Sequence, residues 1–225
     1  MPAPATPQGS STRLLVLGCV RIFQPVHGYF LRRELVSWEV DRWAHVHPGS
    51  IYNALKSLTK AGLLEEVGVV AEGPRPPRTT YRLTAAGEDE FLSLVRTGLL
   101  TIDDPTLFLT AVNMAFALPR DEVLRAVETR VRLLEDLVSN LATQIDEILE
   151  AKDTPDTATE VARLITARTR GELEWSAGYL DRVRGGAYAF QGEPPLWDPT
   201  PEQIEIARAA GVGPGVVLAM AEGDT

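Results

Sequence analysis

The stretch HPGSIYNALKSLTKAGLLEE, residues 47–66, decides the fold of this chain. Pro48 suits the first position of a helix, where its missing N–H costs nothing. Ile51, Leu55 and Leu58 then follow with the i, i+4, i+7 spacing of one buried helical stripe. The opposite side carries small polar and basic residues, namely Ser50, Asn53, Lys56, Ser57 and Lys60. A helix with these two faces is suited to reading bases in the major groove of DNA.

The segments on both sides of this helix predict a winged helix-turn-helix. Two helices precede it, and two strands joined by a proline-rich loop follow it, before a further helix that Thr84 caps. The predicted elements are helices over 10–22 and 29–36, the helix from Pro48 to Gly62, and strands over 63–70 and 79–83. The expected fold class is therefore mainly α with a small β-wing.

The distribution of charge confines any contact with nucleic acid to the first half of the chain. The protein has 225 residues and a net charge of -9. Residues 1–98 hold 11 Lys and Arg against 9 Asp and Glu, whereas residues 99–225 hold 11 against 22. An acidic half repels phosphate, so DNA contacts are expected in residues 1–98. There, Asn53 can read an adenine through two hydrogen bonds, and Lys56 can reach a guanine or a phosphate.

The second half contains an unbroken heptad pattern. After Pro119, apolar residues recur with alternating spacings of three and four, along a helix of about 30 residues and about 45 Å. They are Leu124, Val127, Val131, Leu134, Val138, Leu141, Ile145 and Ile148. A seam of this length needs a partner helix, either from the same chain or from a second copy. We expect an antiparallel helical or coiled-coil domain that makes the protein a homodimer.

Aromatic residues in this half form a candidate effector pocket for an unidentified small molecule. The pattern predicts one helix from Pro105 and a last long helix from Pro155 to about Val183. Trp175 and Tyr179 lie one turn apart on the last helix and can line a pocket with Phe108 and Met114. Packing at an interface is the alternative role for such an aromatic pair.

The expected domain organisation has four parts. They are a disordered N-terminus over 1–9, a DNA-binding domain over 10–98, a helical dimerisation domain over 99–184, and a C-terminal extension over 185–225. The N-terminus is rich in Pro, Ala and Gly, which favours disorder. Thr200 and Gln203 resemble a capping box, which predicts a short helix near 200–210 in the extension.

Several classes of protein and site are excluded by what the sequence lacks. Its first residues have neither the basic nor the apolar region of a secretory signal, and no apolar run could span a bilayer. The single cysteine, Cys19, fits a reducing cytoplasm. His45 and His47 are too few ligands for a metal site. No nucleophile–base motif or nucleotide fingerprint occurs, so we expect a cytoplasmic protein without cofactor, membrane contact or enzymatic activity.

Three separated motifs resemble the PadR family of transcriptional regulators. They are LLVLGCVRIFQPVHGYFLRREL at 14–35, HPGSIYNALKSLTKAGLLEE at 47–66 and PRTTYRLTAAGEDEF at 77–91. The resemblance covers about residues 12–95, and the helical half is similar in pattern and length to the longer C-terminal domain of one branch of the family. It implies a homodimer that binds double-stranded DNA at an inverted-repeat operator, usually as a repressor, and is released by a small molecule or another signal.

The resemblance also implies which residues contact DNA. The recognition helix would contribute Ser50, Tyr52, Asn53 and Lys56, and the wing Arg75 and Arg78. Further candidates for DNA contact are Lys60 on the same helix and His27 and Tyr29 of the HGY turn. The sequence departs from the family pattern at His47, where Ser or Thr is common, and at Asn53, where Pro is frequent. Its wing also carries proline where the family often has charge. These departures leave the operator sequence open.

A protein-binding module is the alternative function. The winged helix would then bind a protein, and the coiled coil would recruit a partner helix. Basic residues on the recognition helix and on the wing favour DNA. The two functions differ in salt dependence, because affinity for DNA falls with a log–log slope near -0.9 per phosphate contacted.

Overall fold

The computed structural model describes residues 9–70, 78–151 and 155–194. The helices in these ranges are α1 (Ser10–Phe23), α2 (Gly28–Ser37), α3 (Val40–Trp43), α4 (Pro48–Lys60), α5 (Ala85–Leu100), α6 (Pro105–Asn113), α7 (Arg120–Glu150) and α8 (Thr159–Arg184). The strands are β1 (Val26–His27), β2 (Leu64–Val70) and β3 (Arg78–Leu83). The predicted fold class, mainly α with a small β-wing, is confirmed.

The three strands form one antiparallel sheet in the order β1-β3-β2. Val26 pairs with Tyr81, and Leu64 pairs with Leu83. The β2–β3 pair is the predicted wing, and its loop over residues 71–77 lies outside the described part of the chain. β1 and α3 were not predicted, because segments of two and four residues are too short to show a periodic pattern.

Helix α4 has the buried stripe that its sequence predicted. Ile51, Leu55 and Leu58 are at most 2% exposed. Beyond the helix end, Gly62 adopts a φ of +73°, the left-handed conformation that favours glycine after a helix. His47 occupies the cap position, but its side chain makes no capping hydrogen bond. The start of α4 is thus formed by Pro48 and by the His47 carbonyl, which accepts a hydrogen bond from the Ser50 N–H at 2.9 Å.

One apolar core continues from α1 and α5 into α6. A Cβ added at Gly98 of α5 would lie 2.6 Å from the Ala111 Cβ of α6. A Cβ added at Gly18 of α1 would lie 2.7 Å from the Met114 Sδ. Helices α5 and α6 approach too closely for a larger side chain at Gly98, whereas the flexible end of the Met114 side chain fills the space beside Gly18. Residues on both sides of the predicted boundary between 98 and 99 therefore share one core.

Helices α7 and α8 form an antiparallel hairpin. Arg130 of α7 pairs with Glu172 at 2.5 Å, and Arg120 near the start of α7 hydrogen-bonds the Val183 carbonyl near the end of α8. Val127, Leu134 and Leu141 of the predicted seam are buried along this hairpin. The other seam residues are half-buried, namely Leu124, Val131, Val138, Ile145 and Ile148. A helix of the same chain thus covers part of the seam. Among the described helices, none has an apolar stretch long enough to span a bilayer.

The chain after α8 folds back onto the start of α7. The Arg120 guanidinium pairs with Glu193 at 2.7 Å and lies 5.0 Å from the ring of Phe190, which is buried. The Gln191 N–H donates to the Leu118 carbonyl at 3.2 Å. The described part of the predicted extension is therefore packed against the helical half. The predicted helix near 200–210 and the predicted disordered N-terminus, except for Gly9, lie outside the described residues.

Replacing Gly87 with alanine is expected to destabilise the fold. A Cβ at Gly87, in the first turn of α5, would lie 2.0 Å from the Leu63 carbonyl oxygen and 2.8 Å from a Leu83 methyl group. Because a backbone atom cannot move aside as a flexible side chain does, we expect Gly87→Ala to lower the free energy of unfolding by about 1–3 kcal/mol. Urea denaturation measures this change.

Gly49→Ala is the matched control, because a Cβ at this helical glycine meets nothing within 4 Å. It should leave stability unchanged or raise it slightly, since alanine favours a helix more than glycine does. Equal unfolding midpoints for the two variants would contradict the close contact at Gly87.

Candidate nucleic-acid interface

The outward face of α4 exposes the residues that the sequence assigned to DNA contact. Tyr52 is 46% exposed, and Asn53, Lys56 and Lys60 are exposed as well. Ser50 is half-buried in the first turn. Within the described residues, neither lysine makes an ion pair, so both ammonium groups are available to phosphate. The buried stripe fixes the helix, while its polar face is accessible to a DNA groove.

The HGY turn holds α2 against α4. The His27 Nδ1 accepts a hydrogen bond from the Phe30 N–H at 3.0 Å and caps α2. A Cβ at Gly28 would lie 3.2 Å from Tyr52 and from Leu55, so this glycine allows the two helices to approach closely. Tyr29 is 55% exposed in the first turn of α2. His27 thus caps α2, and the Tyr29 ring is exposed beside α4.

Arg32 is a candidate DNA-contacting residue that the sequence reasoning missed. It is exposed and makes no ion pair with any described residue. It lies one turn after Gly28, which places it on the edge of α2 that packs against α4. The sequence alone could not identify Arg32. Its distance of four residues from Gly28 is informative only once Gly28 is known to contact α4.

The side chains of the two cations that the sequence assigned to the wing fall outside what the structure describes. Arg75 lies in the loop outside the described residues, and Arg78 begins β3 without a described side chain. Arg82 of β3 pairs with Glu65 across the sheet at 2.7 Å. Arg42 likewise pairs with Glu39 at 3.0 Å. Among the described residues near α4, the exposed cations that make no ion pair are therefore Lys56, Lys60 and Arg32.

The candidate effector residues are divided between the core and two grooves. Met114 is fully buried against α1 and lines neither groove, because α6 packs directly on Gly18. Phe108 and Trp175, with ring centroids 5.7 Å apart, border a groove of about 400 Å³ between α6 and α8. We call it the α6–α8 groove; its lining is Pro105, Phe108, Leu109, Val112, Arg168, Gly171, Glu172 and Trp175.

A second groove, of about 550 Å³, is lined by five aromatic residues. They are Phe116, Trp175, Tyr179, Tyr188 and Phe190, and we call this the aromatic groove. The Trp175 and Tyr179 rings stack at 5.0 Å. Arg182 also lines the groove and donates from Nε to the Tyr188 hydroxyl at 3.0 Å. Burial and the neighbouring Tyr188 raise the pKa of Tyr179 to about 12, so this phenol stays protonated at neutral pH.

Arg130 lies beneath the α6–α8 groove. Its side chain is fully buried, its guanidinium lies 3.4 Å from the centroid of the Phe108 ring, and it pairs with Glu172. It also donates a hydrogen bond to the Thr101 carbonyl at the end of α5. Burial lowers the pKa of Arg130, and Glu172 opposes that shift. The arginine therefore links α5, α6, α7 and α8 at one point.

Residues 16–93, which contain the recognition helix and the wing, match the model of the transcriptional regulator PadR-like family. These residues form a PadR-like domain. The match confirms the predicted family and includes α4, the HGY turn and the strands. The family consists of transcriptional regulators and not of enzymes, in agreement with the predicted class of protein. No curated protein sequence matches the chain.

Solved structures similar to this chain include three proteins at 17–18% sequence identity. Bacillus subtilis PadR in complex with operator DNA has a TM-score of 0.33, with 76% of this chain and 96% of that chain covered. The protein smu.1604c from Streptococcus mutans UA159 has a TM-score of 0.35, with 75% and 98% covered. The PadR-like transcriptional regulator BC1756 from Bacillus cereus has a TM-score of 0.35, with 81% and 99% covered. The family assignment depends on the sequence match of the PadR-like domain.

Removing the two α4 lysines is expected to weaken DNA binding and reduce its salt dependence. The double variant Lys56→Ala and Lys60→Ala should lose about 0.9 from the slope of log affinity against log salt for each phosphate contact removed. Fluorescence anisotropy with labelled DNA at several salt concentrations measures the slope. Arg125→Ala is the control, because Arg125 is exposed on α7 and pairs with Asp121. An unchanged slope in the lysine variant would remove both residues from the interface.

Replacing Asn53 with alanine is expected to relax specificity at one base position. The side-chain amide can accept and donate one hydrogen bond each to an adenine, which is worth about 1–3 kcal/mol of discrimination. Affinities for operators substituted one base pair at a time measure this loss, with Asn140→Ala on α7 as the control. Equal weakening for every operator variant would show that Asn53 does not read a base.

Proposed function

We propose that this protein is a transcriptional repressor that binds an inverted-repeat operator as a homodimer. The observation that carries the proposal is the exposed polar and basic face of α4 within a PadR-like domain. In this proposal residues 10–98 bind DNA, residues 99–184 form the dimer, and residues 185–225 are an extension of the helical half. Such a regulator acts where the chromosome is, in the cytoplasm.

The need for two copies follows from the small number of accessible cations among the described residues near α4. The described cations near the polar face of α4 that make no ion pair are Lys56, Lys60 and Arg32. Each phosphate contact contributes modestly to affinity. Two linked domains double these contacts and can occupy half-sites about 34 Å apart, one turn of DNA. An inverted repeat then matches the two-fold symmetry of a homodimer.

A small-molecule effector is the second part of the proposal, and the aromatic groove supports it. Its stacked rings offer a flat apolar surface beside Arg182, which is the composition expected of a small-molecule site. The groove includes the predicted Trp175 and Tyr179, and adds Phe116, Tyr188 and Phe190. An effector should change operator affinity in the wild-type protein and have a smaller effect in a Phe116→Ala variant, because Phe116 lines the aromatic groove but not the α6–α8 groove.

Binding to the promoter of its own gene tests the proposed function. We expect the purified protein to bind this duplex with two chains per operator and to reduce transcription from it in vitro. Gel shift, sedimentation with labelled DNA and run-off transcription measure the three properties. A duplex with one half-site should bind more weakly, because it engages one domain.

The control duplex has the same base composition in scrambled order. Equal affinity for both duplexes would contradict sequence-specific regulation. Weak salt dependence together with stable binding to a protein would instead favour the adaptor function, in which an apolar surface recruits a partner.

A further inference from the structure

The described part of the chain ends at Pro194, beside the aromatic groove. Glu193 pairs with the Arg120 guanidinium at 2.7 Å, and the same guanidinium lies 5.0 Å from the centre of the Phe190 ring. Phe190 lines the aromatic groove, and its N–H donates to the Glu193 carboxylate at 3.1 Å. The chain that continues beyond Pro194 therefore starts at the rim of this groove.

The aromatic groove leaves several of its rings partly uncovered. Phe116 and Trp175 are each 40% exposed, and Tyr188 is 38% exposed. The Trp175 and Tyr179 rings are stacked with their planes 17° apart. Exposed apolar surface that is gathered in one concavity marks a contact site, whereas single exposed apolar residues do not.

The charge in the groove is positive. Among the described residues that line it there is one cation, Arg182, and no carboxylate. Arg182 is exposed and makes no ion pair with any described residue. Its hydrogen bond from Nε to the Tyr188 hydroxyl, at 3.0 Å, holds the guanidinium beside the rings. An occupant that carries an aromatic ring next to a carboxylate is complementary to this arrangement.

The segment that follows Pro194 has this chemistry. Residues 195–199 have the sequence PLWDP and lie outside the described part of the chain. Trp197 provides a large aromatic ring, and Asp198 follows it directly. Residues 195–225 carry five Asp and Glu against one Arg, so an unpaired guanidinium attracts this segment.

The length of the chain allows Trp197 to reach the groove. Four residues separate it from Glu193, and an extended chain spans about 13 Å over that distance. Because the Arg120 pair fixes Glu193 at the rim, a groove of about 550 Å³ lies within this reach. Pro195 and Pro199 restrict the backbone on both sides of Trp197, which reduces the entropy lost on docking.

We propose that Trp197 of the same chain docks in the aromatic groove, with Asp198 paired to Arg182. The inference rests on the effector site proposed for this groove and adds that the chain supplies a competitor for it. A short tether gives the segment an effective concentration in the millimolar range, so it occupies the groove even at weak intrinsic affinity. An effector must displace Trp197, which raises the effector concentration at which the protein responds.

Titration with bis-ANS, an aromatic dye with two sulfonates, measures access to the groove in the full-length protein. Trp197→Ala should lower the dissociation constant of the dye roughly 10-fold, because the tethered competitor is lost. Ile204→Ala is the matched control, since it removes an apolar side chain from the same segment and leaves PLWDP intact. It should leave the dissociation constant unchanged.

A second pair of variants shows where the dye binds. Added to Trp197→Ala, the substitution Phe116→Ala should weaken dye binding again. Leu109→Ala should not, because Leu109 lines the α6–α8 groove and not the aromatic groove. Circular dichroism checks that every variant folds.

Crosslinking tests the contact directly. Asn113→Cys in the groove lining and Leu196→Cys next to Trp197 should be joined within one chain by a short bis-maleimide. Adding Trp197→Ala should reduce this crosslink several-fold. Leu149→Cys with Leu196→Cys is the control, because Leu149 lies at the far end of α7, about 45 Å from its start. The native Cys19 is buried and does not compete.

Equal dye affinity for the wild type and Trp197→Ala, or a crosslink that Trp197→Ala does not reduce, would overturn the docking and leave the proposed effector site intact. A crosslink between two chains instead of within one would also overturn it, in favour of a second copy as the occupant. Dye binding that Phe116→Ala does not weaken would refute the aromatic groove as a small-molecule site. A wild-type chain that does not bind its operator would refute the proposed regulator, whereas the titration and the crosslink do not depend on DNA.

Discussion

The close approach of α5 to α6 at Gly98 and Ala111 holds the molecule together as one body. At Gly18 of α1, the side chain of Met114 at the end of α6 makes a second contact, through its flexible end. Protein interiors are densely packed and barely compressible, so α6 cannot move without moving α1 and α5 or losing these contacts. Helix α4 packs on α1, and both grooves border α6. A rigid path of packed side chains therefore connects the reading face to the grooves.

Arg130 provides an electrostatic connection along the same path. A buried guanidinium is stable only while its partners remain in place, because its solvation in water has been lost. Its partners are the Thr101 carbonyl at the end of α5 and Glu172, which lines the α6–α8 groove. A molecule that contacts Glu172 therefore affects Arg130, which is hydrogen-bonded to the end of α5. The fold thus links the α6–α8 groove to α5, the last helix of the PadR-like domain.

Much of the fold and part of the site followed from local pattern. The i, i+4, i+7 spacing of Ile51, Leu55 and Leu58 predicted both the buried stripe and the exposed polar face of α4. Thr84 was predicted as a cap and accepts a hydrogen bond from the Gly87 N–H at 3.1 Å. The grooves were predicted only in part, because Tyr188 and Phe190 reach them after a turn at Gly186, and no periodic pattern precedes that contact. Met114 is buried beside Gly18 and lines neither groove, which helical spacing could not show because it does not say which neighbour a side chain meets.

The sequence by itself determined the winged helix, the helical second half and the family, because these depend on residue spacing within single elements and on motifs in a fixed order. Tertiary structure alone decided which side of each helix is covered. The heptad seam of α7 indicates that a partner helix exists, but either α8 or a helix of another chain could bury Leu134. The hydrophobic effect is non-directional, so the gain from burying apolar surface does not depend on which chain covers it. Only the folded hairpin shows that α8 is that partner.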